Sequence, residues 1–451
     1  MRDQSFKNWK SYSLLVLFLW LTVNFFPGSY NVDTWNQFYE MISWKYSDWH
    51  SPFTALLWRP LYVYSDRFFS LYIFQMAWYF LFFHLLTNLL SKRWLVFLSF
   101  GISIFLVFIP QYLMKDVLMT LSWCSALILL LGYEIEKKNV YRIFAFVFIA
   151  YGLLLRPNAL PAAWPLIFVW LDTFVNIQHK RKMKLAIGFV LGILIFGFYY
   201  LTLSLLHAQP AYFTYKYRLA DVLGISMMSG ENFMPECVTS FVKYDKKKVE
   251  SMYTPATNDN IYFTADTLIP GPNAQRDACV KEAWIKAIKA HPWIYLKSRA
   301  IGYIYYLKIK NRLPEEVYWN VTVSVIRNNY IPIDDHHTPL TQKLLRLWKF
   351  TERFFFFDAW FWLLLNCILA VLFYRKYIAR RKYLMKVNLA LQLSCIIYQL
   401  AQFPVYQIDL DFRFSYLNEV SFFVGLLFYL NEIKKSDVQT EAEKLPSSGL
   451  F

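Results

Sequence analysis

Charge is what this chain has least of. Asp, Glu, Lys and Arg make up 17% of its 451 residues, against about 25% in soluble domains. With 57% hydrophobic and 20% aromatic residues, that scarcity excludes a soluble multidomain protein. There is no Walker loop, no dinucleotide fingerprint and no internal repeat. The five cysteines have neither zinc nor redox spacing. Cys124, Cys367 and Cys395 fall in apolar stretches, as packing residues do. Cys237 and Cys279 share one long loop, and a disulfide between them stays open, because sequence does not show that the sulfurs meet. No small-residue cleavage site follows the first apolar stretch, so it reads as a retained helix and not as a signal peptide.

What the chain does have is length in apolar runs. Segments of about 17–25 mostly apolar residues recur along it, the signature of an all-α polytopic membrane protein. About ten spans are expected, near residues 12–27, 67–90, 94–110, 113–133, 140–156, 159–177, 184–206, 355–374, 385–403 and 414–430. The net charge of +16 lies in short connections between them. That pattern speaks for a bilayer and an anionic membrane surface, with no nucleic acid.

Alternate connections carry the basic clusters: Arg2, Lys7 and Lys10; Lys92 and Arg93; Lys137, Lys138 and Arg142; Lys180 to Lys184; Arg375 to Lys386; Lys434 and Lys435. By the positive-inside rule these face the cytoplasm, with both termini. The expectation is a multi-pass protein of the cell membrane whose polar site opens on the extracytoplasmic side. The chain then divides into an N-terminal transmembrane module, 1–206, containing an amphipathic first outer loop, 28–66. An extracytoplasmic loop domain follows at 207–354, then C-terminal helices at 355–433 and a disordered polar tail at 434–451. In the loop domain, Arg276 to Ala290 and the stretch from Pro292 read as helices, the second lying in the membrane interface. Residues 231–275 read as irregular structure or short strands.

The polar residues of interest sit at the outer ends of spans, where charges are costly and therefore suspect as functional. Asp33 precedes an amphipathic run and fits two roles, a helix cap and a general base toward a sugar hydroxyl. His50, in the turn Asp48-Trp49-His50-Ser51-Pro52, reads as a structural hydrogen bonder whose tautomer Asp48 fixes, or as a contact to a lipid-linked phosphate. Lys115 and Asp116 enter an apolar span as a charge pair. The bland reading is a snorkelling lysine with its partner; the functional one puts Lys115 on phosphate and Asp116 on sugar or a metal. Arg156 and Arg413 read as interface anchors or, with Lys115, as a cationic cluster for an anionic phosphate. Asp334 to His337 offer metal-ligand residue types, but adjacent residues rarely point at one ion and a polar surface turn is the better reading; Asn320-Val-Thr is a short glycosylation sequon.

These motifs, in this order and on one side, resemble the C-type membrane glycosyltransferases (GT-C fold). That group includes protein O-mannosyltransferases, the aminoarabinose transferase of lipid A and bacterial cell-surface polysaccharide transferases. The resemblance is carried by Asp33 on a short helix, the x-His-x-Pro turn, Lys115-Asp116, Leu155-Arg156-Pro157-Asn158, His291-Pro292 and Asp411-Phe412-Arg413-Phe414. Many relatives have His-Pro-Pro where this chain has His50-Ser51-Pro52. The resemblance implies a polyprenyl-phosphate (undecaprenyl-phosphate) sugar donor and inverting transfer of one sugar to a cell-wall or surface polysaccharide, or another extracytoplasmic acceptor. Asp33 would be the base. Lys115, Arg156 and Arg413 would hold the donor phosphate, and Asp116, His50, Asp48 and Asp411 would support sugar or acceptor. No cofactor is required; a divalent metal stays open. Two other readings are a polysaccharide polymerase or ligase using a diphosphate-linked oligosaccharide, and a flippase or transporter of lipid-linked sugar.

Overall fold

The computed structural model describes residues 2–26, 28, 32–65, 69–107, 110, 113–174, 181–253, 268–309, 343, 354–355, 358–380, 382–403 and 415–444. Among them there is no strand, only an isolated bridge between Ser47 and Gln209. The architecture is an all-α bundle with a smaller helical unit at one end, called the outer unit for its distance from the bundle centre.

One helix organises the bundle. α6 (Lys115–Glu136) is buried at every position from Lys115 to Gly132, as a helix that is apolar all round must be. Around it pack α4 (Phe69–Leu89), α7 (Asn139–Leu155), α16 (Tyr383–Leu400) and α17 (Tyr416–Lys444). α1 (Arg2–Asn24) lies on α4, where Tyr72 donates to the Thr22 carbonyl at 3.1 Å. α5 (Arg93–Leu106) fills the gap between α1, α4 and α17. α15 (Ala359–Arg380) joins α16 and α17 through buried amides. Asn366 donates to the Asn418 carbonyl at 2.8 Å, and Asn418 to Gln399 Oε1 at 2.6 Å. Such side-chain bonds hold helices together where apolar contact alone gives little preference.

A helix lies in each of the ten expected apolar stretches. Among the described residues four helices, Phe69–Leu89, Lys115–Glu136, Lys182–Leu205 and Ala359–Ala379, are long and apolar enough to cross a membrane. A fifth is counted if α7 and the next helix are one broken span, bent by 119°. That next helix, α8 (Leu160–Leu171), has 12 residues, about 18 Å, well short of the roughly 30 Å of a bilayer core. The span expected at 159–177 is therefore half-length. Pro157 is the cause of the bend. It has no N–H to continue α7, and it forces Arg156 out of helical geometry, to φ −138° and ψ 80°. α9 (Arg181–Leu205) runs along the edge with Phe189, Ile193, Leu194 and Leu201 exposed, a face suited to lipid and not to water.

The two ends of the bundle differ. At one end, Lys10 donates to the Thr87 and Leu90 carbonyls at 3.1 and 2.9 Å, Lys92 to the Leu430 carbonyl, and Lys184 and Lys386 both pair with buried Asp172. At the other end α6 begins, α7 ends, and two short helices close over the bundle: α2 (Val32–Ser43) and α3 (Pro52–Ser65). α17 continues to Lys444, so the tail expected to be disordered from 434 is helical for its first part. Its Glu, Lys, Gln and Ala are good helix formers.

The loop after α9 carries α10 (Phe213–Ser229), two short helices α11 (Glu236–Thr239) and α12 (Lys246–Met252), then α13 (Ala274–Ala290) and α14 (Pro292–Tyr306). α13 starts two residues before the expected Arg276 because Asn273 caps it, accepting from Arg276 N at 2.8 Å. Tyr215, Leu219, Val238, Val249 and Val280 form a separate small core. A disulfide joins Cys237 to Cys279, closing a loop whose removal from the unfolded ensemble is worth about 4 kcal/mol. Buried Arg299 of α14 bonds Asp221 of α10 at 2.5 Å, and Trp284 of α13 reaches the same oxygen at 2.8 Å. α14 is thus anchored in the outer unit through Arg299, while Trp293 and Leu296 in its first two turns are exposed.

Close packing of α6 on α7 depends on Gly152, where an added Cβ collides with the Trp123 indole. Trp123 in turn donates to the Ile149 carbonyl at 3.1 Å. Gly152→Ala will lower stability by about 1–3 kcal/mol through overpacking, read from thermal unfolding in detergent. Gly101→Ala, with nothing within 4 Å of the new methyl, will leave the midpoint unchanged or slightly higher.

Candidate functional site

The site is built where α6 starts. Its first two residues, Lys115 and Asp116, are 7% and 2% exposed, and two buried opposite charges need partners of their own. Asp116 pairs with Arg156, which the Pro157 bend places at the end of α7. Lys115 Nζ lies 3.0 Å from His50 Nδ1. An ammonium only donates, so Nδ1 is the acceptor and the proton of a neutral imidazole sits on Nε2. His50 Nε2 faces Asp33 Oδ1 at 3.9 Å.

Asp33 sits inside the first turn of α2, so its carboxylate gains from the helix dipole. The cap position before Val32 lies outside the described residues. His50 is 2% exposed at its side chain and Asp33 26%. Of this pair, Asp33 is therefore the group a substrate can reach.

Local bonds hold this geometry. Thr34 donates to the Leu113 carbonyl at 2.5 Å, tying α2 to the entrance of α6. Ser51 donates to the Leu154 carbonyl at 2.6 Å, tying the His50 turn to the end of α7. Gln75 reaches the Pro110 carbonyl at 2.6 Å. Arg59 of α3 donates to the Met41 carbonyl and stacks over Trp44, 3.8 Å from its ring centre. Pro52 starts α3, as proline suits a first helical turn.

Asp48 has a different job from the one its place beside His50 predicts. Its Oδ1 accepts from Ala211 N at 2.5 Å, next to main-chain bonds of Asp48 N to the Gln209 carbonyl and Gln209 N to the Tyr46 carbonyl. It pins the start of the outer unit to the floor; Lys115 and Asp33 are what face the imidazole. Asp116 pairs with Arg156, where the sequence offered Lys115 as its partner or a contact to sugar or a metal. Arg413, Asp411, Asn320 and Asp334 to His337 lie outside the described residues. Among the described residues, no group of three His, Cys, Asp or Glu converges as a metal ion would need.

Two residues went unnoticed in the sequence. Gln37 and Glu40 follow Asp33 on α2 at i+4 and i+7, so all three share a face. They are 1% and 5% exposed. Glu40 Oε1 accepts from Ser47 N at 3.0 Å and Ser47 Oγ at 2.5 Å. Burial pushes the Glu40 carboxyl above its ordinary range, against the Ser47 bonds and the charge of Lys115. Burial also raises the Tyr46 phenol, opposed by Arg59 and aided by Glu40. Their signal in the sequence is three polar residues at helical spacing, interleaved with the stronger apolar pattern of Trp35, Phe38, Tyr39 and Ile42.

No family model, curated protein or solved structure matches this chain.

The Asp116–Arg156 pair gives a test. Asp116→Asn takes the carboxylate out of a nearly buried ion pair and will cost about 3–5 kcal/mol in denaturant unfolding. Asp116→Leu combined with Arg156→Met will recover most of that loss. Independent, additive losses would show that the two side chains are not a pair.

Proposed function

We propose that this chain is a membrane glycosyltransferase of the GT-C type, with about ten spans. It transfers one sugar from a polyprenyl-phosphate donor to a hydroxyl of an extracytoplasmic acceptor, a cell-wall or surface polysaccharide. The observation that carries this reading is Asp33: a part-exposed carboxylate on a floor helix, facing an imidazole whose other nitrogen is bonded by Lys115. In the proposed step Asp33 takes the proton of the acceptor hydroxyl. The hydroxyl oxygen bonds to the anomeric carbon with inversion, and the carbon–oxygen bond to phosphate breaks, its electron pair leaving with the polyprenyl phosphate. Phosphate is a good leaving group, so no separate acid is required. His50, fixed by Lys115, turns its Nε2 toward Asp33 and steadies the carboxylate. Lys115 and Arg156 favour the charge that grows on the phosphate.

Two further features support an outward-facing site. The disulfide in the outer unit belongs in an oxidising compartment. The lysines bound at the other end of the bundle, Lys10, Lys92, Lys184 and Lys386, fit the positive-inside rule for a cytoplasmic face.

Replacing Asp33 with Asn keeps size and polarity and removes the base. Transfer from polyprenyl-phosphate sugar by purified protein will fall about 10²–10⁴-fold, with unfolding unchanged. Near-normal transfer by Asp33→Asn protein would remove Asp33 from the chemistry.

A further inference from the structure

The face that α2 shares between Asp33, Gln37 and Glu40 has more acceptors than the protein uses. Gln37 Nε2 donates to the Asp33 carbonyl at 3.0 Å, which leaves its Oε1 buried with no hydrogen-bond partner among the described residues. Glu40 Oε1 holds Ser47, and its Oε2 is buried in the same condition. The Tyr46 hydroxyl, 2% exposed, is a third such group. Buried polar atoms are nearly always bonded, because leaving one unmet is costly. Gln37 and Glu40 are three positions apart, so their side chains are neighbours on the helix surface.

The chemistry of the unmet atoms says what would meet them. A carbonyl and a carboxyl oxygen call for donors, and a phenol can donate or accept. A phosphate has no donors to give and is repelled by Glu40. A sugar ring carries several hydroxyls, each able to give and take a bond. We propose that Gln37 and Glu40 form a sugar-binding subsite on α2, their Oε1 and Oε2 accepting hydroxyls of a substrate ring beside Asp33. This deepens the transfer reading above and rests on it for the identity of the ring, which belongs to either the donor or the acceptor. Both oxygens are sealed from solvent, so a sugar reaches them only as α2 parts from the end of α6.

Two substitutions separate this role from a structural one. Glu40→Gln keeps an oxygen for Ser47 and replaces the second acceptor with an amide donor. Gln37→Met keeps length and packing and removes the acceptor. Binding is read by thermal shift of purified protein in micelles, with no turnover needed. One arm compares undecaprenyl-phosphate glucose, galactose and mannose with undecaprenyl phosphate alone. The other titrates the free hexoses and N-acetylhexosamines. Wild type will bind at least one sugar-bearing probe about 10- to 100-fold better than either variant does. Undecaprenyl phosphate alone will bind all three proteins equally. Loss confined to the first arm assigns the subsite to the donor sugar, and loss in the second to the acceptor. A wild type that gains nothing from any sugar, or variants that keep the full gain, would overturn the subsite. Sugar binding by wild type without any transfer would instead defeat the transferase reading and leave the subsite standing.

Discussion

Two opposite charges buried at the start of the central helix constrain everything around them. Lys115 and Asp116 sit where α6 enters the bundle, and neither can be left alone in so little water. Asp116 needs a cation from another helix, and the Pro157 bend delivers Arg156. Lys115 needs an acceptor, and the turn between α2 and α3 delivers His50. Meeting those two needs forces the end of α7 and the floor hairpin onto the same spot. Asp33 then comes to face the imidazole as a consequence of how the hairpin is held.

The floor is fixed on three sides. Thr34 and Ser51 tie it to the ends of α6 and α7, Arg59 closes α3 against α2, and Asp48 fastens it to the first residues of the outer unit. That unit has its own core, its own disulfide and a buried Arg299–Asp221 pair. Its last helix returns to the bundle through Tyr303, which donates to the Gln399 carbonyl at 3.0 Å.

How much of this is legible in the sequence depends on range. Hydropathy locates the helices because each apolar run is a local property, and it overestimates α8 because a proline bend is not counted by hydropathy. The charged residues at helix ends are visible as misfits in apolar surroundings, which brought out Asp33, Lys115, Asp116 and Arg156. Their pairing is not visible. Asp116 meets Arg156 from another helix, and Asp48 meets Ala211 across 163 positions. Nearness in the chain made Asp48 look like the partner of His50, and only the fold gives that place to Lys115 and Asp33. α10 is not evident in the sequence because its contacts come from α13 and α14, which follow it. Gln37 and Glu40 are hidden in the sequence by the apolar spacing of the same helix.

The most direct test of this account is an electron cryo-microscopy map of the purified protein that resolves side chains at the start of α6. The account predicts density for the Lys115 ammonium within hydrogen-bond distance of His50 Nδ1, with the Asp33 carboxylate on the far side of the same ring. A map of the sugar-free protein with α2 turned away, or with the Lys115 side chain running out toward lipid and no contact to His50, would contradict it.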